Sequence, residues 1–591
     1  MLNVTASSRR RRIWLISAGS LLLVLIAAAA WVGLRALSAR DSLESAAEAA
    51  TSIPASIRAG DTDAAVAAAN DFEADARAAA SSTSDPVWRL AEFIPWLGSN
   101  LAAVRGMSEV AADVGARAVV PLATAAADID ISALGFTDGR IDVAPLAQAA
   151  PVLAEANSAL QQAGDRVRTL PEPSLPIVAD AVDRLRSVTT EAAGAIDALD
   201  RAAAILPAMV GADGPRTYLL LVLNNAEART LGGIAGAGAV LRFEDGRVAI
   251  ERQFSSADFG PAPEPLVDLS ASTISLFDDL PGRFIQNTTS ALDFPETAEA
   301  AAAIWKRTSG QDVDGVIAID AVSIAYLLEA TGPIETGPFT LDAQNAVETL
   351  LATAYAQIDD PRMQDEAFAV VARGIFETLA AGGADPDTLL SALGRAAGEQ
   401  RLHVWSSHPE EQARIEGTAL ETLLAPDTDV RHVGVFINDV TGAKLDYYAT
   451  PATSVLLDTC GAAPRATVTV DWTNTVPADA ATSLPDYVLG PELTVAQRGE
   501  TLTRIGVAGP QGWLVEDYSL DGGRAGVQSA QYDDRSVVQH EFVTEPGGSH
   551  RIVVEFVGPE GSTGEGIPLD VISTPLVHAN TIDIVHATCT P

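Results

Sequence analysis

The chain has little positive charge. Its 591 residues include 38 lysines and arginines against 78 aspartates and glutamates, which gives a formal net charge of −40 at pH 7. Because so negative a surface repels phosphate backbones, we expect no direct nucleic-acid binding. Only two lysines occur, Lys306 and Lys444, and neither belongs to a P-loop, so P-loop NTPases are excluded. The HExxH motif of zinc peptidases and the GxSxG motif of α/β-hydrolases are also missing.

Cysteine and histidine are scarce as well. The two cysteines, Cys460 and Cys589, lie outside any CxxC motif, which argues against a zinc site or a thioredoxin-like role. In an oxidising compartment such a pair usually forms a disulfide, and two buried free thiols are the alternative. His403 and His408 are five residues apart across a predicted strand end. We expect both to be solvated rather than to bind a metal.

One long apolar run crosses the membrane in our interpretation. Arg9–Arg12 precede the uncharged segment Ile13–Leu34. As a helix this segment would be about 33 Å long, enough to span a hydrocarbon core of roughly 30 Å. Trp14 and Trp31 lie near its two ends, where indole rings favour the membrane interface.

The arginines before this run predict its orientation. Because arginine-rich flanks remain cytoplasmic, we expect residues 1–12 to be a cytoplasmic stub and residues 13–34 to be a single-pass anchor in the cell membrane. Everything after about Arg40 would then be extracytoplasmic, where a disulfide persists. A cleaved signal peptide is the alternative, because small residues occur at Ala36–Ala39.

The composition of the extracytoplasmic part changes twice. Residues 41–210 are rich in alanine and poor in aromatics, which predicts a helical bundle packed through small-residue faces. Residues 212–445 alternate strand-like and helix-like patterns, which is typical of an α/β domain. Residues 446–591 lack helix signals and alternate at period two, which predicts a β-sandwich. The expected fold class is therefore a multidomain α+β protein with an N-terminal transmembrane helix.

Particular elements follow from these patterns. Asp245-Gly246 between two apolar runs predicts a hairpin, and Val433–Ile437 is assigned as a strand of the α/β domain. Cys460 would precede the first sandwich strand and Cys589 would follow the last, so one bond would clamp its ends. The predicted helices include Asp61–Ala80, Leu101–Ala127, Val143–Val167, Pro176–Leu206, Ala321–Thr331, Pro361–Ala381 and Pro386–Ala397.

A short segment between two predicted helices of the bundle is rich in tryptophan and proline. It comprises Asp85–Leu90 and Phe93–Gly98 and contains two residues of each kind. This composition favours a packed corner, and contact with the membrane surface is the alternative.

The most informative segment follows the predicted strand Thr217–Leu223. So many polar side chains directly after a buried strand cannot all belong to a core, and open α/β sheets bind ligands at strand ends. Glycines in the segment permit close backbone approach. We therefore consider a ligand-binding cleft, with a turn network that satisfies buried backbone groups as the equal alternative. The candidate ligand-binding residues are Asn225, Glu227, Arg229, Gly232 and Gly233.

This segment resembles a known family. Leu223–Arg229 with Gly232-Gly233 is similar to the signature of membrane-anchored actinobacterial proteins that carry the domain of unknown function 4012. The resemblance implies no assigned activity. It extends over nearly all of the exported chain, to Pro86–Arg89, Asp293–Pro295, Asp314–Asp320, Gly332-Pro333, Asn438–Lys444, Tyr447-Tyr448 and Leu484–Val488.

A second resemblance, to the LytR–CpsA–Psr glycopolymer phosphotransferases, implies a chemistry. Those single-pass enzymes transfer lipid-pyrophosphate-linked glycans to peptidoglycan, and Val313–Ile334 looks like their strand–helix element. By this resemblance Arg229 would meet pyrophosphate, with Asp258 or Asp293 as base or Mg²⁺ ligand. The chain departs from that family at Ser255–Asp258, where the family has Pro-Arg-Asp.

Three functions follow from these observations. The first is an envelope protein that binds or places a cell-surface polymer, such as a cell-wall glycan or a polyprenyl-linked polymer. The second is the transferase just described, for which Mg²⁺ would be the cofactor; the other two need none. The third is a non-enzymatic scaffold for protein partners. Several arginines converging beside Arg229 would favour transfer, and an apolar cleft would favour the scaffold.

Overall fold

The structure is a computed structural model that describes residues 5–129, 135–137, 140–336, 339–357, 370–371, 373–375, 377–378, 383–421, 423–427, 430–491, 493–561 and 568–589. It divides into two compact units. The helical unit comprises residues 1–134 and 143–207, and the sheet unit comprises residues 135–142 and 208–591. The predicted helix Pro361–Ala381 lies largely outside the described residues.

The helical unit is built on one helix of 54 residues, α1 (Thr5–Arg58). Most of its large apolar side chains before residue 35 are exposed, among them Leu23 and Leu34, whereas Val32 near the end of this stretch is buried. Beyond Leu34, α1 packs against the next helix through alanines such as Ala39 and Ala65, which are fully buried. By length and composition two helical stretches could cross a membrane, Trp14–Ile57 and Gly98–Asp128.

The remaining helices of this unit agree with the alanine-rich periodicity. They are α2 (Thr62–Thr83), α3 (Pro86–Ala91), α4 (Gly98–Val114), a π-helical turn (Gly115–Val119), α5 (Val120–Asp128), α6 (Ala144–Arg168) and α7 (Pro176–Met209). Leu101 and Val110 of α4 are buried in the bundle. The stretch Gly98–Asp128 thus packs partly as a bundle helix.

The sheet unit contains nineteen strands among the residues described. They are β1 (Gly135–Thr137), β2 (Arg140–Asp142), β3 (Arg216–Asn224), β4 (Ile234–Glu244), β5 (Arg247–Ser255), β6 (Gly315–Asp320), β7 (Ile334–Thr336), β8 (Phe339–Leu341), β9 (Leu402–Ser406), β10 (Arg431–Asp439), β11 (Ala449–Asp458), β12 (Arg465–Asn474), β13 (Thr501–Ala508), β14 (Leu514–Leu520), β15 (Gln528–Tyr532), β16 (Arg535–Thr544), β17 (Ser549–Val557), β18 (Leu569–Ser573) and β19 (Thr581–His586).

Short helices connect these strands. They are α8 (Ala271–Phe277), α9 (Phe294–Ser309), α10 (Ala321–Thr331), α11 (Ala346–Glu348), α12 (Ala354–Gln357), α13 (Pro386–Gly398), α14 (Pro409–Ile415), α15 (Ala480–Ser483) and α16 (Asp486–Leu489). Helix α10 ends at Gly332 as predicted, since this glycine has a φ of 75° that a residue with a side chain rarely adopts.

A seven-stranded mixed sheet forms the first half of the sheet unit, in the order β1-β2-β5-β4-β3-β6-β9. Only β3 and β6 are parallel, so their carboxyl ends meet at one edge. The predicted hairpin β4–β5 is confirmed: Asp245 and Gly246 have φ of 50° and 76°, as a two-residue hairpin turn requires. The hairpin β1–β2, which the sequence places in the helical bundle, is an edge of this sheet.

Two five-stranded sheets form the C-terminal sandwich, in the orders β15-β16-β13-β10-β18 and β14-β17-β12-β11-β19. Strand β10 contains Val433–Ile437, so assigning that strand to the α/β domain is wrong. It lies between β13 and β18, its partners from much later in the chain.

The predicted disulfide is present between Cys460 and Cys589, whose Cα atoms are 5.2 Å apart. Cys460 follows β11, the first strand of its sheet, rather than preceding the first strand. Because β11 and β19 are parallel neighbours, the bond joins the segments that leave the same end of both strands.

Helix α9 packs between the two parts of the sheet unit. One core cluster combines Leu221 of β3, Trp305 of α9 and Phe436 of β10, and a second fills the sandwich around Val435 and Trp472. Strand β10 is thus buried on both faces, which places its end beside the polar segment that follows β3.

Candidate functional site

The polar segment after β3, residues 224–233, is buried throughout. The carbonyl of Asn224 accepts a hydrogen bond from Glu227 N at 3.1 Å, and the Asn224 side chain accepts one from Ala226 N at 3.1 Å. Gly232 N donates to the carbonyl of Arg229 at 2.7 Å. The segment is therefore a sequence of tight turns stabilised by its own backbone.

Asn225 lies where the carboxyl ends of β3 and β6 meet. Its Nδ2 donates to Asp320 Oδ2 at 2.9 Å and to the carbonyl of Pro575 at 3.0 Å. Asp320 caps α10 through Ser323 N at 2.7 Å and pairs with Arg401 at 2.6 Å. The strand ends converge as the sequence predicts, but the chain around Pro575, from the sandwich, fills the position where a ligand would bind.

Glu227 forms a buried ion pair with Lys444. The ammonium group of Lys444 also lies 4.3 Å from the centre of the Tyr487 ring and 5.4 Å from that of Tyr355. Burial alone would lower the pKa of Lys444, but the charge of Glu227 raises it above its ordinary value. Lys444 thus remains charged and its charge is balanced internally.

Arg229 bonds to the protein itself. Its Nη1 donates to the carbonyl of Ala228 at 2.8 Å and to that of Asp439 at 2.9 Å, and it lies 4.0 Å from the Asp439 carboxylate. Its Nη2 lies 3.5 Å from Asn287 Oδ1. The guanidinium therefore joins the turn after β3 to the end of β10.

A second carboxyl group, Asp446, completes this cluster. Burial raises the pKa of both Asp439 and Asp446, and Arg229 opposes the shift. The charge of Asp439 raises the pKa of Asp446 further, well above its ordinary value. Asp446 Oδ2 accepts from Ala228 N at 2.8 Å, while its Oδ1 has no partner among the described residues. Burial and the charge of Asp439 thus both disfavour the charged form of Asp446 and raise its pKa.

The two glycines of the segment allow the chain to approach itself rather than a ligand. Gly232 has a φ of 115°, and a Cβ on Gly233 would lie 2.2 Å from the carbonyl oxygen of Asn224. Together with Asn225, Glu227 and Arg229, they form the turn network that the sequence left as an alternative.

The proposed catalytic carboxylates do not meet Arg229. Asp258 accepts from Ser255 N at 2.9 Å and closes a capping box, and Asp293 caps α9 through Glu296 N at 2.9 Å. Neither hydrogen-bonds or ion-pairs with Arg229 in the part of the chain that the structure describes. The described residues contain no group of three or more His, Cys, Asp or Glu that could hold a metal ion.

The two histidines differ in environment. His403 is fully buried, and its ring stacks on Phe294 at 5.1 Å, so the expectation that it is solvated is wrong. Burial lowers the pKa of His403 to about 4, which keeps it neutral. His408 is partly exposed and lies 2.9 Å from Asp314.

Two cavities lie in the sheet unit. One, of about 160 Å³, lies beside Lys444 and is lined by Leu351, Ala352, Thr353, Tyr355, Lys444, Tyr448, Leu484 and Val488. The other, of about 470 Å³, opens at the sandwich and is lined by Gln511, Gly512, Trp513, Leu514, Gln531, Asp534 and Ser536. None of the five candidate ligand-binding residues after β3 lines either cavity.

Residues 213–355 match the family described as "Protein of unknown function (DUF4012)". The matched segment contains the turns after β3, Asp293–Pro295, Asp314–Asp320 and Gly332-Pro333, so it supports the resemblance over those motifs. The similar motifs at Pro86–Arg89 and beyond residue 355 lie outside the match. Comparison with curated proteins gives no match.

Sequence reasoning missed the partners of the polar segment. Asp439 ends β10, and Lys444 and Asp446 follow it. All three lie more than 200 residues after Arg229, and no local pattern links them to it. The family resemblance was the one signal for Asp439 and Lys444, because it includes the segment Asn438–Lys444.

Proposed function

We propose that the protein is a single-pass membrane protein whose extracytoplasmic part binds a cell-surface glycan without catalysing a reaction on it. The exposed apolar stretch of α1 supports the anchor, because so many uncovered large side chains are costly in water. The arginines before this stretch support a cytoplasmic N-terminus. The Cys460–Cys589 disulfide supports export to an oxidising compartment.

The hydrogen bonds of the arginines near the strand ends favour glycan binding over glycan transfer. A pyrophosphate site needs arginine side chains that converge on an open position. Arg229 and Arg401 instead donate to carbonyl groups and carboxylates of the protein. These N–H groups are therefore directed at the protein rather than at an open position for a phosphate group.

The observation that carries the proposal is the 470 Å³ cavity of the sandwich, whose volume is in the range of small-molecule sites. Its walls are fixed: Gln511 bonds to Asp427 and Asp533, and Ser536 Oγ donates to the carbonyl of Trp513 at 2.9 Å. The carboxylate of Asp534 has no hydrogen bond or ion pair with any residue described.

The polarity of this cavity selects the class of ligand. Amide, hydroxyl and carboxylate groups such as Gln531, Ser536 and Asp534 suit the many hydroxyls of a sugar. The carboxylate and the net charge of −40 repel anionic polymers. We therefore propose a neutral cell-wall glycan as the ligand, with a polyprenyl-pyrophosphate-linked glycan as the competing candidate.

Titration of the full chain in detergent with neutral oligosaccharides tests the proposal. Asp534 has a φ of 57°, so Asp534→Gly removes the carboxylate without straining the turn. Because a hydrogen bond to a charged group contributes about 1.5–3 kcal/mol, we expect binding to weaken about tenfold or more.

The matched control is Asp245→Gly, which changes the same residue type in the same kind of turn, at a φ of 50° in the β4–β5 hairpin. This variant should bind as the original protein does. Equal affinity of the Asp534→Gly variant, or binding only of the pyrophosphate-linked glycan, would overturn the proposal.

A further inference from the structure

We infer that the segment 86–97 of the helical unit inserts apolar side chains into the outer leaflet of the membrane that holds α1. We call this segment the corner. The inference rests on the membrane anchor proposed above and adds a second membrane contact, made by a part of the chain that does not span the bilayer.

The lengths of α1 and α2 bring the corner to the level of the membrane. The 24 residues of α1 beyond Leu34 rise about 36 Å, and the 22 residues of α2 return about 33 Å. Side-chain contacts confirm the return, because Ser82 Oγ lies 3.4 Å from Ser38 Oγ. The chain therefore reaches the corner where the apolar run of α1 ends.

Asp85 fixes the corner to α1 at this level. Its carboxylate caps α3 through Val87 N at 2.9 Å and accepts a hydrogen bond from Trp31 Nε1 at 3.3 Å. It also lies 3.7 Å from Arg35 Nε. Trp31 is the tryptophan at the outer end of the apolar run, so the corner begins at the expected interface.

The corner has one packed tryptophan and one exposed tryptophan. Trp88 is fully buried against Val32 and Leu101, as the predicted packing requires. The rest of the segment exposes large apolar side chains. The exposed fraction of the residue is 70% for Leu90, 84% for Phe93, 43% for Ile94 and 74% for Trp96.

The start of α7 widens this exposed surface. Ser174 Oγ donates to the carbonyl of Trp96 at 2.9 Å, and Leu175 N donates to Asn100 Oδ1 at 2.9 Å. Leu175 and Ile177 therefore lie beside the corner, and both are exposed. Contiguous apolar patches of this kind mark sites of contact with proteins or membranes.

The backbone of Trp96 is strained in a way that packing does not explain. Its φ of 64° lies in the left-handed region, which is costly for a bulky residue. Asn100 Nδ2 and Ser174 Oγ both donate to its carbonyl at 2.9 Å and hold this conformation. Because the indole makes so little contact with the protein, we attribute the arrangement to a partner outside the chain.

A lipid leaflet fits this surface better than a polar partner. Tryptophan, phenylalanine and leucine are the residues with which proteins enter the headgroup and upper acyl region. The one acidic residue of the corner, Glu92, pairs with Arg105 at 2.6 Å, and Asp85 directly before the corner faces Arg35. Trp31, at the outer end of the apolar stretch of α1, also bonds to Asp85 directly before the corner.

Depth-dependent quenching in lipid vesicles tests the inference on the full chain. Both native cysteines are disulfide-bonded, so a Phe93→Cys variant offers a single free thiol for an NBD fluorophore. In phosphatidylcholine vesicles we expect its emission to shift to the blue and to be quenched by lipids with a shallow (5-doxyl) quencher.

Two further variants separate the possible outcomes. Ile57→Cys lies about 39 Å along α1 from Trp31, beyond the membrane, and its label should remain unquenched. Leu23→Cys lies within the apolar run and should be quenched most strongly by a deep (12-doxyl) probe. If the Leu23 label is unquenched, the anchor itself is wrong. If the Leu23 label is quenched and the Phe93 label is not, the anchor stands and the corner does not enter the membrane, which leaves the patch to a protein partner.

Discussion

At the scale of single residues, Arg229 stabilises the junction between two parts of the sheet unit. Its Nη1 donates to the carbonyl groups of Ala228 and Asp439, and its Nη2 donates to the side chain of Asn287. The residues around Arg229 would be the same whether its side chain faced a ligand at an exposed strand end or lay buried between a turn and a second sheet. What distinguishes them is β10, which begins more than 200 residues later.

We expect Arg229→Ala to destabilise the protein. The change leaves the carboxylate of Asp439 buried without its counter-charge, and removing one partner of a buried ion pair costs about 3–5 kcal/mol. Arg229→Lys should be intermediate, because lysine keeps the charge but lacks the planar fork. Denaturant titration of the full chain in detergent measures the effect.

Arg242→Ala provides the comparison for this experiment. Arg242 lies near the end of β4 with a partly exposed side chain that pairs with Glu244, and such surface pairs contribute about 0–1 kcal/mol. If both alanine variants unfold at the same denaturant concentration, Arg229 does not have the structural role described here.

At the scale of elements, the sequence predicted those whose signals are local. The alanine-rich helices, the Asp245-Gly246 hairpin and the stop of α10 at Gly332 each depend on residues within one or two turns of chain. The assignment of β10 failed because its neighbours, β13 and β18, follow it by some 60 and 130 residues. The partners of the candidate site were not predictable for the same reason: its residues are local, but its burial depends on the sandwich.

Helix α9 yields a prediction about pH. Burial raises the pKa of its N-cap, Asp293, to about 6, although the bond from Glu296 N opposes the shift. Because the folded-state pKa lies above the unfolded value, ionising Asp293 destabilises the fold as the pH rises from about 4 to 6. Asp293→Asn keeps a good N-cap and removes the charge. It should therefore add on the order of 2–3 kcal/mol at pH 7.

Thermal midpoints measured between pH 4 and 7 check this expectation. The difference between the Asp293→Asn variant and the original protein should grow as the pH rises from about 4 to 6 and level off above 6. Asp293→Ala is the matched variant, since it removes the cap as well as the charge and should forfeit about 1 kcal/mol of the gain. A difference that is constant over this range would contradict the raised pKa.

At the scale of the whole molecule, the segment that matches the family does not form a complete structural domain by itself. Residues 213–355 supply β3 to β6 of the seven-stranded sheet, while β1, β2 and β9 come from outside the match. The buried partners of Glu227 and Arg229, namely Lys444 and Asp439, also lie beyond it. The part of the sheet unit that contains the seven-stranded sheet therefore needs the sandwich to complete its interior.

The orientation of the entire chain in the membrane is open to a direct test. Because Arg9–Arg12 precede the apolar run of α1, we expect a reporter inserted after Gly60, in the turn between α1 and α2, to be active only outside the cytoplasm. Replacing all four arginines by serine should make the orientation mixed. Replacing Arg35 and Arg40, on the other side of the run, by serine should leave it unchanged, since removing positive charge there increases the asymmetry.

The disulfide gives the same experiment a second readout on the native chain. Cys460 and Cys589 should resist alkylation in correctly oriented molecules, because the bond forms only in an oxidising compartment. The fraction of alkylated thiols should then rise with the cytoplasmic reporter signal in the four-serine variant. A cytoplasmic signal from the unmodified chain, together with free thiols at both positions, would reverse the orientation and with it the extracytoplasmic function proposed here.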